Sequence, residues 1–274
     1  MNNNLINNDK SDLNGCPFSL NGKVIIVTGG AGHLGAAITQ GLATAGGTVY
    51  SVGRNAHNLQ TVAEFNCKFP EQRIFVETID VQDEKLFANF AETVVRLHGR
   101  IDCLVNNANS AKRESWEILD KDKWVEGLDG ALNHYFTCTQ IVSRYFLEQG
   151  FGNVINNASL FAFLAPCFPM HLDLGNAAAA HHAVAKGGIL QLTKYLAALW
   201  GSKGIRVNAI SPGYFPQKRG VERPDYMAEI KKRIPMERIG SPSEVAGAVV
   251  FLASGASSYI TGQNLIIDGG YSIW

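Results

Sequence analysis

The sequence predicts a doubly wound α/β domain, in which helices cover both faces of a parallel sheet of about seven strands. From Lys23 onward, short β-branched runs alternate with helical segments, as expected for strand–helix–strand units. The runs are apolar throughout, which is typical of strands that are buried on both faces. A glycine-rich turn, Thr28–Gly35, follows the first run and opens the first helix. Together these features predict one domain over residues 21–274.

The elements follow one another without an internal repeat or a linker. The predicted strands are, in chain order, KVIIVTGG, TVYSVG, RIFVETID, IDCLVNNA, NVINNAS, IRVNAISPG and NLIIDGG. The predicted helices end near Ala45, Cys67 and Leu97, and later cover about Lys121–Leu147, Ala178–Trp200 and Ser243–Ala253. Because a helix separates each strand from the next, neighbouring strands are expected to run parallel.

The first twenty residues differ in composition from the rest. MNNNLINNDKSDLNGCPFSL is rich in Asn and poor in apolar side chains, which predicts a disordered tail over residues 1–20. This segment lacks the basic-then-apolar order of a secretion signal. The longest apolar run, Leu160–Met170, has 11 residues and two prolines, so it is too short to cross a bilayer. The sequence therefore predicts a cytoplasmic protein with no membrane partner.

Charge and cysteine content argue against several functional classes. The chain of 274 residues carries 24 Lys and Arg against 24 Asp and Glu, so no net field favours nucleic acid or anionic lipid. The cysteines are scattered, without a CxxC pair. They are Cys16, Cys67, Cys103, Cys138 and Cys167. We expect reduced, mostly buried thiols and no metal site.

The glycine-rich turn TGGAGHLG predicts a nucleotide site. Its glycines permit a tight turn and let backbone N–H groups approach a pyrophosphate, and the N-terminus of the next helix adds positive potential. A plain strand–helix turn is the alternative, but the position after the first strand favours a dinucleotide. The predicted contacts are Gly29, Gly32, His33, Leu34 and Gly35.

The end of the second strand predicts the form of the dinucleotide. A carboxylate there would hold a ribose 2′-hydroxyl, but Gly53 supplies none. Arg54 follows, and a guanidinium suits a 2′-phosphate because it is always charged and can bind two oxygens at once. NADP(H) is therefore favoured over NAD(H). The alternative is an ordinary surface arginine.

Several motifs recur in the order that one family shows. They are TGGAGHLG, Asp80-Val81, Asn106-Asn107-Ala108, Ser159, Lys186, Ile205–Gly213 and Gly262–Gly270. Over about residues 20–272 the chain thus resembles the single-domain short-chain dehydrogenase/reductases, which share a Rossmann-type fold. The resemblance implies oxidation or reduction of a hydroxyl/carbonyl pair with a nicotinamide cofactor.

The resemblance also implies roles for individual residues. The pair Asp80-Val81 would contact adenine, and Asn107-Ala108 would close the cofactor site after the fourth strand. Pro212-Gly213 would lie near the nicotinamide, and Lys186 would bind the nicotinamide ribose. Ser159 would hold the substrate oxygen, although a serine after a strand can also be a simple cap.

The residue four before Lys186 departs from the family pattern. The family has a tyrosine there, whose hydroxyl exchanges a proton with the substrate oxygen, whereas this chain has His182. On a helix the two side chains face the same way. A free imidazole titrates near ~6.5, and a nearby ammonium and burial both disfavour its charged form. We therefore expect His182 to be a neutral base that suits alcohol oxidation better than carbonyl reduction.

Two further positions depart from the pattern. Ala131 stands at the family's structural asparagine, which helps to hold a water that relays protons to the lysine. Asn133 is two residues on, about 200° around a helix, so it should not reach the same partner. His33 stands where the family has the second glycine of its turn, and it either points outward or approaches a phosphate.

Because of these changes, three kinds of function stay open. Conventional hydride transfer is the main expectation. The alternatives are a different reaction on the same scaffold, such as dehydration, epimerisation or isomerisation, and cofactor binding without turnover. His171 and His181 are expected to be pocket or surface residues, because neither lies four before the lysine.

Two segments are candidates for covers of the site. The apolar stretch Leu160–His181 is longer than is usual in the family, and would either roof a pocket or pack against a neighbouring subunit. The stretch Tyr214–Arg238 carries seven basic residues and predicts either a lid for an acidic substrate or a solvated amphipathic helix. The resemblance implies a homodimer or homotetramer built through the two long helices and the last strand.

Overall fold

Seven parallel strands form one sheet. The computed structural model describes residues 16–110, 115–168, 179–216 and 224–274. The strands are β1 (Val24–Thr28), β2 (Thr48–Gly53), β3 (Ile74–Thr78), β4 (Cys103–Asn106), β5 (Gly152–Asn157), β6 (Ile205–Pro212) and β7 (Asn264–Ile267). Their order across the sheet is β3-β2-β1-β4-β5-β6-β7, and all pairings are parallel. The predicted fold class is confirmed.

Helices cover both faces of this sheet. Among the described residues they are α1 (His33–Thr44), α2 (Ala56–Ala63), α3 (Glu84–His98), α4 (Lys121–Leu128), α5 (His134–Gln149), α6 (Ala180–Trp200), α7 (Pro224–Lys232) and α8 (Pro242–Ala253). Ala178, the predicted start of the sixth helix, lies outside the described residues. The strand order reverses between β1 and β4, and such a reversal opens a crevice at the carboxyl ends of the strands.

Two separate cores explain why the strands are apolar throughout. All five residues of β1 are buried. Ile26 belongs to a cluster that contains Phe87 of α3, whereas its neighbour Ile25 belongs to a second cluster that contains Leu42 of α1 and Val249 of α8. Because successive side chains of a strand point to opposite faces, both sets must be apolar when both faces are covered.

The helix predicted over Lys121–Leu147 is interrupted. A wide, π-helical turn at Asp129–Asn133 separates α4 from α5, and α5 continues to Gln149. Turns of this kind insert one extra residue into a helix, and they occur often at functional sites. Apolar periodicity averages over several turns, so it does not reveal a single inserted residue.

The start of the chain and the cysteines differ in detail from the expectation. Residues 1–15 lie outside the described residues, but Leu20 is fully buried and its N–H donates to Ala45 O. Ordered structure therefore extends into the last residues of the predicted tail. The expectation of mostly buried thiols is wrong: Cys103 and Cys138 are buried, and the other three are exposed or half-buried. No helix in the described ranges is both long and apolar enough to span a membrane.

Candidate active site

A cavity of about 1070 Å³ opens at the carboxyl ends of the strands. Its lining includes residues that end or follow β1 to β6, namely Gly29, Gly53, Asp80, Asn107, Ala158 and Pro212. Parallel strands all place these ends at one edge of the sheet, where doubly wound folds bind ligands. The topology thus gathers residues that are far apart in the sequence.

The cavity lining contains every residue that the sequence singled out for the site. These residues are Gly29, Gly32, His33, Leu34, Gly35, Arg54, Asp80, Val81, Asn107, Ala108, Ser159, His182, Lys186, Pro212 and Gly213. The glycine-rich turn therefore lines the same cavity as His182 and Lys186.

Two glycines of the turn are required by close approach. Gly29 has a φ of +62°, and a Cβ on it would lie 2.7 Å from the Cα of Ala108. A Cβ on Gly35 would lie 2.0 Å from the carbonyl oxygen of Gly29. The tight turn brings the first turn of α1, which contains no acidic residue, to the cavity. Its unsatisfied N–H groups and positive potential fit a pyrophosphate.

The replacement of a glycine by His33 is compatible with this turn. Gly32 caps α1 with an extended φ of −75°, and α1 begins at His33, which is exposed beside the cavity. Among the described non-glycine residues, only Glu237 has a positive φ. His33 is therefore tolerated without backbone strain.

Arg54 lies at the corner of the cavity expected to receive the 2′-position of the ribose. Its guanidinium is more than half exposed, and Nη1 is 3.6 Å from the Oδ2 atom of Asp80. A Cβ on Gly53 would meet no atom within 4 Å, so this corner has room for a ligand group. Exposed ion pairs are weak, so this contact does not hold the Arg54 side chain firmly in place.

An amide network connects the turn to the floor of the cavity. The Asn107 Nδ2 atom donates to Gly29 O at 3.0 Å and to Thr28 O at 3.1 Å. Its Oδ1 atom accepts a hydrogen bond of 2.8 Å from Asn157 Nδ2. The Oδ1 atom of Asn157 is buried and has no partner among the described residues. This orphaned acceptor beside the cavity fits a ligand that brings its own donors.

Lys186 is enclosed beside the cavity, with 3% of its surface exposed. Its Nζ atom donates to Asn157 O at 2.7 Å and to the Tyr135 hydroxyl at 3.2 Å. Burial lowers the pKa of the Lys186 ammonium to about 7. From the sequence we expected Lys186 to be a fixed cation, but its surroundings make its charge depend on pH near neutrality. Tyr135 was not singled out from the sequence.

Ser159 and His182 line the same cavity as Lys186. The Ser159 Oγ atom accepts a hydrogen bond of 3.2 Å from Phe161 N and so caps the short 3-10 turn Leu160–Ala162. The serine is thus both a cap and a cavity residue. His182 is half-buried, one turn before Lys186 on α6.

His134 is a second site residue that sequence reasoning missed. Its ring nitrogens lie 3.0 Å from Ala108 O and 3.0 Å from Asp129 O, so the ring joins the interrupted helix to the end of β4. Burial lowers the pKa of His134, although both carbonyls oppose this change. Asn133 is exposed, and its side-chain amide donates a hydrogen bond to the Asp129 side chain. Ala131 is fully buried.

The expectation that His181 is a pocket or surface residue is wrong. The side chain is 1% exposed, does not line the cavity, and has no hydrogen-bond partner among the described residues. A Cβ on Gly127 would lie 2.4 Å from its ring, so His181 packs directly on α4. Its neighbour His182 faces the cavity, because successive residues of a helix point about 100° apart. His171 lies outside the described residues.

The two candidate covers are only partly described. From the apolar stretch, Leu160 and Phe161 line the cavity, and residues 169–178 lie outside the described ranges. From the basic stretch, Tyr226 and Met227 of α7 line the cavity, whereas the charged side chains of this helix are exposed. Lys232 pairs with Glu229 on this helix. Residues 217–223 are not described.

The chain is similar in sequence to known dehydrogenases and reductases. Residues 29–272 match the family described as enoyl-(acyl carrier protein) reductase. D-threitol dehydrogenase from Mycolicibacterium smegmatis is 38% identical over 259 residues, which cover 93% of this chain and 95% of that protein. Gluconate 5-dehydrogenase from Gluconobacter oxydans is 31% identical over 259 residues, which cover 93% and 97%.

A solved structure shows the same fold at a similar level of identity. It is the crystal structure of a gluconate 5-dehydrogenase from Burkholderia cenocepacia in complex with NADP and tartrate. It is 30% identical with a TM-score of 0.83, over 94% of this chain and 98% of that one. The family match spans most of the sequence, and these relatives are matched over nearly their whole length. The chain therefore belongs to the short-chain dehydrogenase/reductase family.

Proposed function

We propose that the protein is an NADP(H)-dependent oxidoreductase that interconverts a hydroxyl and a carbonyl group, with His182 in the proton-transfer position. The observation that carries the proposal is the convergence of Ser159, His182 and Lys186 on the cavity that the glycine-rich turn also lines. The substrate class that we propose is a small polyol or sugar acid. Relatives named for threitol and gluconate support this choice.

The chain's own residues move the proton in the oxidation direction. Ser159 donates a hydrogen bond to the substrate oxygen, and the His182 imidazole accepts the hydroxyl proton as the carbonyl forms. The bound dinucleotide supplies the acceptor for the hydride that leaves the same carbon. Lys186 holds the nicotinamide ribose. One hydroxyl thus gives one carbonyl, one reduced cofactor and one proton on His182.

The choice of NADP(H) depends on the corner at Arg54. Gly53 supplies no carboxylate to a ribose 2′-hydroxyl, and the exposed Arg54 guanidinium is available for a 2′-phosphate. The similar structure from Burkholderia cenocepacia is a complex with NADP. We expect NADPH to bind more tightly than NADH, and the fluorescence of the reduced cofactor measures both affinities. In the variant Arg54→Gln, this preference should disappear.

Turnover is tested with NADP⁺ and a panel that includes threitol, gluconate and other polyols and sugar acids. Reduced cofactor is followed by its absorbance. The oxidation rate should change with pH between about 5 and 8, the range in which an imidazole titrates. A rate that is constant over that range contradicts a histidine base. His182→Tyr should gain carbonyl reduction if the rest of the site is competent.

The same experiment separates the proposal from its main alternative. Tight binding of NADPH without turnover across the panel, and without a gain in His182→Tyr, would support a cofactor-binding protein. Weak binding of both dinucleotides would contradict both functions. We also propose that the protein assembles as a homodimer or homotetramer.

A further inference from the structure

Tyr135 contacts the amine of Lys186 from within the protein core. The tyrosine is fully buried at the start of α5. Its hydroxyl donates to Asn157 O at 3.1 Å and accepts from Lys186 Nζ at 3.2 Å, across 51 positions of the sequence. The Lys186 Nζ atom also lies 4.9 Å from the centre of the Tyr135 ring. One side chain therefore offers the amine both a hydroxyl oxygen and an aromatic face.

The other surroundings of Lys186 contain little negative charge. None of the ion pairs among the described residues involves Lys186. The titratable groups nearby are Tyr135 and His134 on α5 and His182 on its own helix. Burial raises the pKa of the Tyr135 phenol, so this group remains neutral. A buried ammonium without a carboxylate depends on neutral acceptors, and these are Asn157 O and the Tyr135 hydroxyl.

We propose that Tyr135 is a positioning residue for the proposed reaction: its hydroxyl holds Lys186 in the charged form and directs the remaining N–H group to the cavity. An ammonium has three N–H donors. Two are taken by Asn157 O and the Tyr135 hydroxyl, and Lys186 lines the cavity where the third is available to a cofactor hydroxyl. The reaction in this statement rests on the proposed function, but the effect of Tyr135 on Lys186 does not.

The decisive variant is Tyr135→Phe, which removes the hydroxyl and keeps the ring. Without this acceptor the ammonium is less stable, so Lys186 should lose its proton at a pH about one unit lower than in the unaltered protein. The probe is carbon-13 at the ε-carbon of lysine, whose NMR shift follows protonation in the full-length protein without cofactor. The Lys186 signal is assigned by its absence from Lys186→Met.

Tyr50→Phe is the matched control. Tyr50, on β2, is also a buried tyrosine and does not line the cavity. Its hydroxyl lies 2.8 Å from His98 Nε2. This variant should leave the titration of Lys186 unchanged, and it sets the loss of thermal stability that follows when a tyrosine loses a hydrogen-bonded hydroxyl. An unchanged titration in Tyr135→Phe would overturn the inference.

Activity gives a second readout. In Tyr135→Phe, kcat should fall, and the pH at which activity declines on the alkaline side should move down with the titration of Lys186. In Tyr50→Phe the pH profile should stay in place. If the unaltered protein shows no turnover, the proposed function fails while the NMR result still decides the role of Tyr135. A falling kcat with an unmoved pH profile would mean that Tyr135 has only a structural role.

Discussion

At the scale of single residues, the buried Lys186 ammonium works against folding. Its pKa is about 7 in the folded protein, and the ordinary value of the group is 10.5. Between these two values the unfolded chain binds more protons than the folded one, so stability rises with pH from about 7 to about 10.5. Below pH 7 both states are protonated, and the folded state carries the full penalty of a desolvated charge.

We predict that Lys186→Met stabilises the protein near neutral pH and abolishes turnover. Methionine fills the space with an uncharged chain, so the free energy of unfolding at pH 7 should increase by about 2–4 kcal/mol. This gain over the unaltered protein should shrink as the pH approaches 10. Urea unfolding at several pH values measures both effects.

The control for this prediction is Lys203→Met, which removes an exposed lysine. Its effect should stay within about 0.5 kcal/mol at every pH. The prediction fails if Lys186→Met is less stable than the unaltered protein at pH 7, or if both proteins show the same dependence on pH. If Lys186→Met is more stable than the unaltered protein and has lost turnover, Lys186 is a residue that serves the chemistry at a cost in stability.

At the scale of elements, hydrogen bonds hold the wide turn at Asp129–Asn133 and the adjoining His134 to the residues that follow β4. In this turn the Asp129 carbonyl oxygen lies within hydrogen-bond distance of His134 Nδ1. The Nε2 atom of the same ring contacts Ala108 O, just after β4. The Ser110 N–H donates to Gly130 O at 2.9 Å and closes the same corner. These contacts tie the interrupted helix to the edge of the sheet where Asn107 and Ala108 line the cavity.

We predict that His134→Ala lowers the free energy of unfolding by about 2–3 kcal/mol. The change leaves a buried carbonyl without its donor and opens a space in the core. The affinity for NADPH should fall as well, because the backbone carbonyl of Ala108, beside the cavity, loses its contact with the His134 ring. Urea unfolding and cofactor fluorescence measure the two effects.

His57→Ala is the control for this element, because His57 is an exposed histidine on α2. Its stability should change by no more than about 0.5 kcal/mol. Equal stability of His134→Ala and the unaltered protein would show that the ring does not hold the turn to β4.

At the scale of the whole molecule, α6 carries apolar side chains that the single chain leaves exposed. They are Val184, Tyr195 and Leu199. Tyr195 and Leu199 lie one turn apart and share a face. We propose that this face is a contact between subunits, because contiguous exposed apolar surface favours burial against a partner. The proposed homodimer or homotetramer would bury them.

We predict that the double variant Tyr195→Glu, Leu199→Glu reduces the assembly to a smaller species, because two carboxylates would be desolvated in the contact. Light scattering after size-exclusion chromatography measures the mass. Tyr259→Glu is the control, since Tyr259 is fully exposed in the turn before β7 and should leave the mass unchanged. A monomeric unaltered protein, or an unchanged mass in the double variant, would contradict this surface.

Much of the fold could be predicted because its signals are local. Runs such as VIIVT in β1 are buried on both faces, and this burial is written directly into their composition. Many of the site residues could be grouped because they follow strands, and parallel strands end at one edge. His182 and Lys186 lie within α6 and were assigned from the family resemblance. The break in the long helix was missed, since one extra residue hardly alters an apolar pattern averaged over several turns.

The sequence by itself determined the doubly wound sheet, the glycine-rich turn and the presence of His182 one turn before Lys186. Only the tertiary structure decided which neutral groups surround that lysine, since Tyr135 lies 51 positions away and meets it through the packing of α5, β5 and α6. It also decided that His181 faces the core while His182 faces the cavity. The physical reason is that periodicity records whether a side chain is buried, whereas a charge's pKa depends on the partners and the desolvation that the assembled fold imposes.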